Sequence, residues 1–247
     1  QLNEKHGIWL DVGILPSPFT NETAFARDHI MLTRSFCAEN APYYITGARL
    51  AWKASDRITL YGYLLNGWQN IRETNTQKAG TLQFEYKKGD QITINWNVYA
   101  GYEGNELAPA DQERLFSDAY IIYKGPKRWS YTACIMGGRQ YRMQNNKADF
   151  FSGNIAVNYQ LVKPLSISGR IERISDVNKA ISNQNFGSTS RGKISNSVSL
   201  GFNYQPQKEV LYRIECRRLF GMNKLYNDNR NEPDNLTWVV AAANFLF

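Results

Sequence analysis

The sequence has no apolar run long enough to cross a membrane as a helix. Its longest apolar stretch, Val239-Val240-Ala241-Ala242-Ala243, stops at Asn244, and a spanning helix needs about 20 apolar residues. That excludes a helical membrane protein. It does not exclude a membrane barrel, whose strands need only about 9–11 residues with every second one apolar. Histidine is scarce too: His6 and His29 are the only two, and neither carries the surroundings of a metal site or a Ser/His/Asp set. Cys37, Cys134 and Cys216 are odd in number and match no metal or redox spacing, so they read as free, small packing residues. The chain is basic, with net charge +7 and pI about 9.2, yet no Lys/Arg run exceeds two residues. The basic patch of a nucleic-acid binder is therefore missing. No cofactor, no metal, no catalysis and no nucleic-acid partner is expected. Gln1 opens the chain without Met or a signal peptide, as a mature form or a fragment would.

What is present is alternation. The 247 residues are 43% hydrophobic and 13% aromatic, yet the mean hydropathy is −0.50. Apolar residues interleaved with polar ones reconcile those figures. In Gln91–Tyr102, Ile92, Ile94, Trp96, Val98 and Ala100 fall on one face, and Thr93, Asn95, Asn97 and Tyr99 on the other. Twelve such strands are predicted: Gly7–Ile14, Tyr44–Ala54, Arg57–Trp68, Gln77–Lys88, Gln91–Tyr102, Leu115–Lys124, Arg128–Gly138, Ala148–Leu161, Pro164–Ser175, Gly192–Gln205, Val210–Phe220 and Asn235–Phe247. Asp111–Phe116 reads as one helical turn in a loop, and Gly137-Gly138 as a strand-end bend. Tight turns rich in Gly, Pro and Asp alternate with long polar links. This is the fold class of an all-β, antiparallel up-and-down transmembrane barrel.

Alternation alone also fits a soluble sheet with one wet face. Three features favour the membrane. Several strands run well beyond the usual 5–6 residues. Trp52, Tyr86, Trp129, Tyr131, Tyr204 and Tyr212 lie on the apolar face near strand ends or beside short turns, where an interfacial aromatic girdle would sit. Charges of both signs occupy the polar face, as a wet lumen requires. The predicted lining residues are Arg49, Lys53, Glu85, Lys87, Asp118, Lys124, Arg170, Glu172, Arg213, Glu215 and Arg217. Basic residues outnumber acidic ones among them, which points to mild anion preference.

The last strand carries Val239, Ala241, Ala243, Phe245 and Phe247 on one face. It looks like the C-terminal strand that the barrel-assembly machinery of Gram-negative bacteria reads, with Phe247 as the assembly signal. A more specific resemblance lies in Gly7–Gln69. Asp11-Val12-Gly13-Ile14-Leu15-Pro16, Thr33-Arg34-Ser35, Ala41-Pro42-Tyr43-Tyr44-Ile45-Thr46-Gly47 and Asn66-Gly67-Trp68 resemble the OmpL-like β-barrel porin family in its Bacteroidota form. The resemblance implies an outer-membrane channel and carries no catalytic residues. Members of that family usually have further strands before the Asp-x-Gly-x-Leu-Pro segment. The chain is therefore expected to be a single barrel domain lacking upstream strands, with a native count of 14–16, although twelve is even and could close.

If Phe247 is periplasmic, the short turns are periplasmic and the long links external. The link Pro16–Tyr43 is then an external loop that either folds into the lumen as a constriction or lies on the rim. The expected function is passive diffusion of small hydrophilic solutes across the outer membrane, with lipid as the surrounding partner. Two alternatives stay open: a plugged, non-conducting barrel acting as anchor or surface partner, and a soluble barrel that binds a ligand. The oligomeric state is not legible.

Overall fold

Twelve segments of the chain are extended and pair antiparallel in strict sequence order. The structure is a computed structural model that describes residues 2–3, 7–106, 108–181, 193–221 and 235–245. Its strands are β1 (Ile8–Pro16), β2 (Tyr44–Lys53), β3 (Ile58–Leu65), β4 (Ala79–Lys88), β5 (Ile92–Tyr102), β6 (Asp111–Lys124), β7 (Trp129–Arg142), β8 (Lys147–Val162), β9 (Leu165–Asp176), β10 (Lys193–Gln207), β11 (Val210–Gly221) and β12 (Asn235–Phe245). They form one sheet in the order β1 to β12, and no pairing joins β1 to β12 among the described residues. Both edges carry the same parity: β1 leaves the short-turn end and β12 returns to it.

Two sequence expectations are corrected. Asp111–Phe116 is not a helical turn but the start of β6. Its charged side chains find partners across the sheet: Arg142 donates to Asp111 (2.9 Å) and Arg114 to Gln140 (2.8 Å). Gly137-Gly138 is not a strand end either, because β7 continues to Arg142. A Cβ on Gly138 would come within 2.4 Å of the Leu115 carbonyl oxygen and 2.6 Å of the Phe150 ring. The glycine makes room for that ring. The wall β6–β8 is therefore taller than predicted, and the links after β5 and β7 are shorter.

The two faces of the sheet are chemically inverted relative to a soluble barrel. Leu10, Val12, Ile14, Leu50, Leu82, Trp96, Ile135, Ile155, Ile171, Leu200 and Ile214 are exposed, while Asn95, Asn97, Asp118, Ser152, Arg170 and Glu215 are buried. A water-solvated barrel would reverse both sets. Of the girdle residues, Trp52, Trp129, Tyr131, Tyr204 and Tyr212 are exposed on the outer face at the short-turn end, and Tyr86 is half-buried. They pack in ring pairs, Trp129 with Tyr159 at 4.5 Å, Tyr123 with Tyr131 at 4.6 Å and Tyr204 with Tyr212 at 6.3 Å. At the loop end the outer face turns charged, with Arg139 paired to Asp149 at 2.6 Å. The rise from Trp129 to Arg139 is roughly 33 Å along the strand, or about 25 Å at a tilt of about 40°, the height of an outer-membrane apolar band.

This places Leu200, central on β10 between Gly169 and Cys216, in the middle of the lipid-facing band. Leu200→Arg should destabilise the folded protein by about 2–4 kcal/mol, and Asn196→Arg near the rim by about 0–1 kcal/mol. Urea titration in lipid vesicles measures both; equal effects would argue against the assigned band.

Candidate functional site

The inner face of the sheet is occupied by the segment between β1 and β2. The chain leaves β1 at Pro16, crosses the interior to β11, and returns through a single-turn helix α1 (Phe36–Glu39) to β2. Three groups of contacts hold it there.

The first is aromatic. Phe19 stacks on Trp68 at 5.6 Å and meets Phe116 edge-on at 5.2 Å. Trp68 also contacts Tyr99 and Phe116 at 5.0 and 4.9 Å. With Met136, Ala148 and Phe150 they form an apolar core inside the barrel. The interior is thus not polar throughout, as the alternation had suggested.

The second is a ladder of hydrogen bonds to β5–β8. Thr20 N–H donates to Asp118 (2.9 Å), which also accepts from Asn97 (3.1 Å). Asn21 donates to Thr132 (2.9 Å) and to Asn154 (3.1 Å). Asn154 in turn donates to the Ser35 hydroxyl (3.1 Å), which caps α1 by accepting from Ala38 N–H (3.3 Å).

The third is ionic, on β9 and β11. Glu215 accepts from the Thr33 N–H and hydroxyl, both at 2.7 Å. Arg170 donates to the Thr33 carbonyl (2.5 Å) and lies 3.2 Å from Glu172 and 3.3 Å from Glu215. Arg217 donates to Glu172 (2.5 Å) and to the Arg34 carbonyl (3.0 Å), with Phe36 under its guanidinium at 5.0 Å. Glu172 also accepts from the Phe36 N–H (2.7 Å). Glu22 accepts from Ser35 N–H (2.7 Å) and sits 3.6 Å from Arg170. Arg213 donates to the carbonyls of Ala26, His29 and Ile30 at 2.6, 3.1 and 2.7 Å. In this loop, burial lifts the Glu22 carboxyl above its ordinary range against the pull of Arg170. Burial, reinforced by Arg34 and Arg213, pushes His29 down to about 4, so its ring is neutral at pH 7.

Chemically, the cluster offers three guanidiniums and three carboxylates that neutralise one another. No group of three or more His, Cys, Asp or Glu arranged to hold a metal occurs among the described residues. The arrangement can hold a loop, and the Thr33 hydroxyl beside Glu215 is part of that hold.

Residues 1–247 match the family described as "Putative beta-barrel porin-2, OmpL-like". The chain belongs to the OmpL-like β-barrel porins. Outer-membrane OmpT of Vibrio cholerae is similar in fold, with TM-score 0.63 at 9% identity over 97% of this chain and 77% of that one. So is the outer-membrane channel DcaP of Acinetobacter baumannii, with TM-score 0.64 at 12% identity over 95% of this chain and 71% of that one. No curated relative matches the sequence. The family and these neighbours make this an outer-membrane porin.

The residues predicted to line the porin's lumen fall into two sets. Asp118, Arg170, Glu172, Arg213, Glu215 and Arg217 are buried beneath the loop. Arg49, Lys53, Glu85, Lys87 and Lys124 sit on the inner face near the short-turn end. Arg49 pairs with Asp11 at 2.8 Å, and Lys87 with Glu85 at 2.9 Å. Asp11, Arg49, Lys53 and Tyr61 line a cavity of about 310 Å³ beside β1–β3. Phe247 lies outside the described residues, as does His6. The loop residues Glu22, Thr33 and Ser35 join these predicted residues in the site. Their only signal was Thr33-Arg34-Ser35, which entered as part of the family resemblance. The three cysteines are free. Cys216 faces outward, whereas Cys37 and Cys134 are buried in the same apolar cluster, where the Cys37 thiol donates to the Ser152 hydroxyl at 3.4 Å.

Two outcomes follow from this geometry. Glu215→Ala removes the acceptor of the Thr33 N–H and hydroxyl and one of the three carboxylates around Arg170, in a site where the Glu215 residue is 1% exposed, and a broken buried pair costs up to about 3–5 kcal/mol. The loop should then come free, and trypsin should cut at Arg27 or Arg34 many times faster than in the parent, while the barrel stays folded. Mild oxidation with copper phenanthroline should join Cys37 to Cys134 and trap the loop against β7. Mass spectrometry of peptides would show that cross-link; pairing through Cys216 instead would contradict the loop's position.

Proposed function

We propose that this porin passes small hydrophilic solutes by diffusion through the space the loop leaves open, with mild preference for anions. Its work is passage rather than catalysis. The observation that carries the selectivity is the division of the wall charges. The clamp beneath the loop is balanced, three against three, and contributes no net field. The charges left toward open space are Arg49, Lys53, Lys87 and Lys124 against Asp11, Asp56 and Glu85. A basic excess along a pore favours anions.

The same loop supports a second reading, a barrel that conducts little and serves as an anchor or surface partner, because the loop fills the middle of the interior. We further propose that additional antiparallel strands, even in number, close the seam between β1 and β12. The support is physical: an open strand edge in hydrocarbon leaves its backbone groups unpaired at several kcal/mol each. The outer face of β12 presents Val239, Ala241, Ala243 and Phe245, an alternating strand of the kind the barrel-assembly machinery would engage.

Planar-bilayer recording tests the main proposal. Open-channel steps with a reversal potential displaced toward the anion are expected under a potassium chloride gradient. Lys53→Glu with Lys87→Glu should move it toward the cation. Clear cation selectivity in the parent would overturn the preference, and a folded protein without conductance would decide for the second reading.

A further inference from the structure

At the short-turn end the loop forms the floor of a vestibule of about 1100 Å³. That is the size of a site for a whole small molecule rather than a single ion. Its walls come from the ends of β6–β11 and their turns. Besides Arg213, which is committed to three loop carbonyls, five cationic side chains line it from four separate parts of the chain: Arg27 on the loop, Lys124 and Lys127 around the β6–β7 turn, Lys163 in the β8–β9 turn and Lys208 in the β10–β11 turn. The four lysines have no acidic partner among the described residues. Arg27 donates to the Lys208 carbonyl at 2.5 Å, yet its second terminal nitrogen is buried without a hydrogen-bond partner, as are both ring nitrogens of His29. Of the two carboxylates at the wall, Glu22 is committed to Ser35 and Arg170. Only Asp28 remains to offset five cations.

Unpaired like charges converging on one space repel one another, and that cost is recovered when a multivalent anion enters. Chloride would neutralise one cation at a time; an oxyanion with several charged groups bridges cationic side chains on separate turns. We propose that this vestibule is a binding site for phosphate-bearing small solutes at the short-turn mouth of the pore. Arg27, fixed by the loop, supplies the directional donor, and the four turn lysines supply the field. The proposal rests on the porin reading and deepens its anion preference. It also makes the two mouths unequal: the solute is held where it leaves or enters on the short-turn side.

Tripolyphosphate is the probe. In bilayers it should block chloride current from one side only, and in detergent at low salt it should bind by titration calorimetry. Replacing Lys127, Lys163 and Lys208 together by Gln should raise both midpoints about tenfold, given the modest worth of each exposed pair. Lys88→Gln, on the outer face, should change neither. Equal block from both sides, an unchanged midpoint in the triple variant, or tricarballylate binding as well as tripolyphosphate would overturn the proposal. Calorimetry reads the site whether or not the channel conducts, so a non-conducting protein that still binds tripolyphosphate would sink the porin reading and leave the site standing.

Discussion

Everything inside this barrel depends on the clamp that Arg170, Glu172, Glu215 and Arg217 make on the loop. Their side chains are at most 6% exposed. Buried charges of this kind are tolerable only when every one is paired and hydrogen-bonded. On the wall alone, Arg170 and Arg217 face Glu172 and Glu215, which still leaves the carboxylates with unused acceptor capacity. The loop completes them with the Thr33 N–H on Glu215 and the Phe36 N–H on Glu172, while its Glu22, held by the Ser35 N–H, adds a carboxylate beside Arg170. Loop and wall are therefore one structure: the wall's charges are too desolvated to stand without the loop, and the loop docks through them as well as through Phe19, Met31 and Phe36.

The lipid imposes the other half of the arrangement. Because the outer face must be apolar, the polar half of every strand is directed inward, where space is limited and water is scarce. Porins ordinarily resolve this with an aqueous channel. Here much of the interior is filled by a segment whose own side chains mirror the wall, polar against polar at β5–β11 and aromatic against aromatic at Phe19. Gly201 shows how closely they fit: a Cβ there would lie 2.6 Å from the Ser168 hydroxyl and 3.3 Å from the Met31 methyl of the loop.

The strands were legible because period two leaves a signature in any short window. Ile92–Tyr102 could be assigned from its own residues. Asp111–Phe116 could not, since Asp111, Gln112, Glu113 and Arg114 show no apolar alternation and take their partners from β7. Gly137-Gly138 misled for a related reason: the Phe150 ring that requires Gly138 belongs to another strand. The inward direction of the charged side chains was readable from parity. Their surroundings were not, because Thr20 meets Asp118 across 98 residues of chain and Thr33 meets Glu215 across 182. No local pattern encodes such a contact.

That same separation divides the work of the charged residues. Changing a clamp residue strands its partner in a dry site, so the clamp is confined to the pairs it has. Lys53, Lys87 and the turn lysines stand in water, where a single charge is worth little to stability. They can be gained, lost or reversed without disturbing the fold, yet they are the charges an ion in the remaining space would feel. Selectivity in this architecture belongs to the residues that hold nothing together, and the residues that hold the loop decide only how much space is left for it to act in.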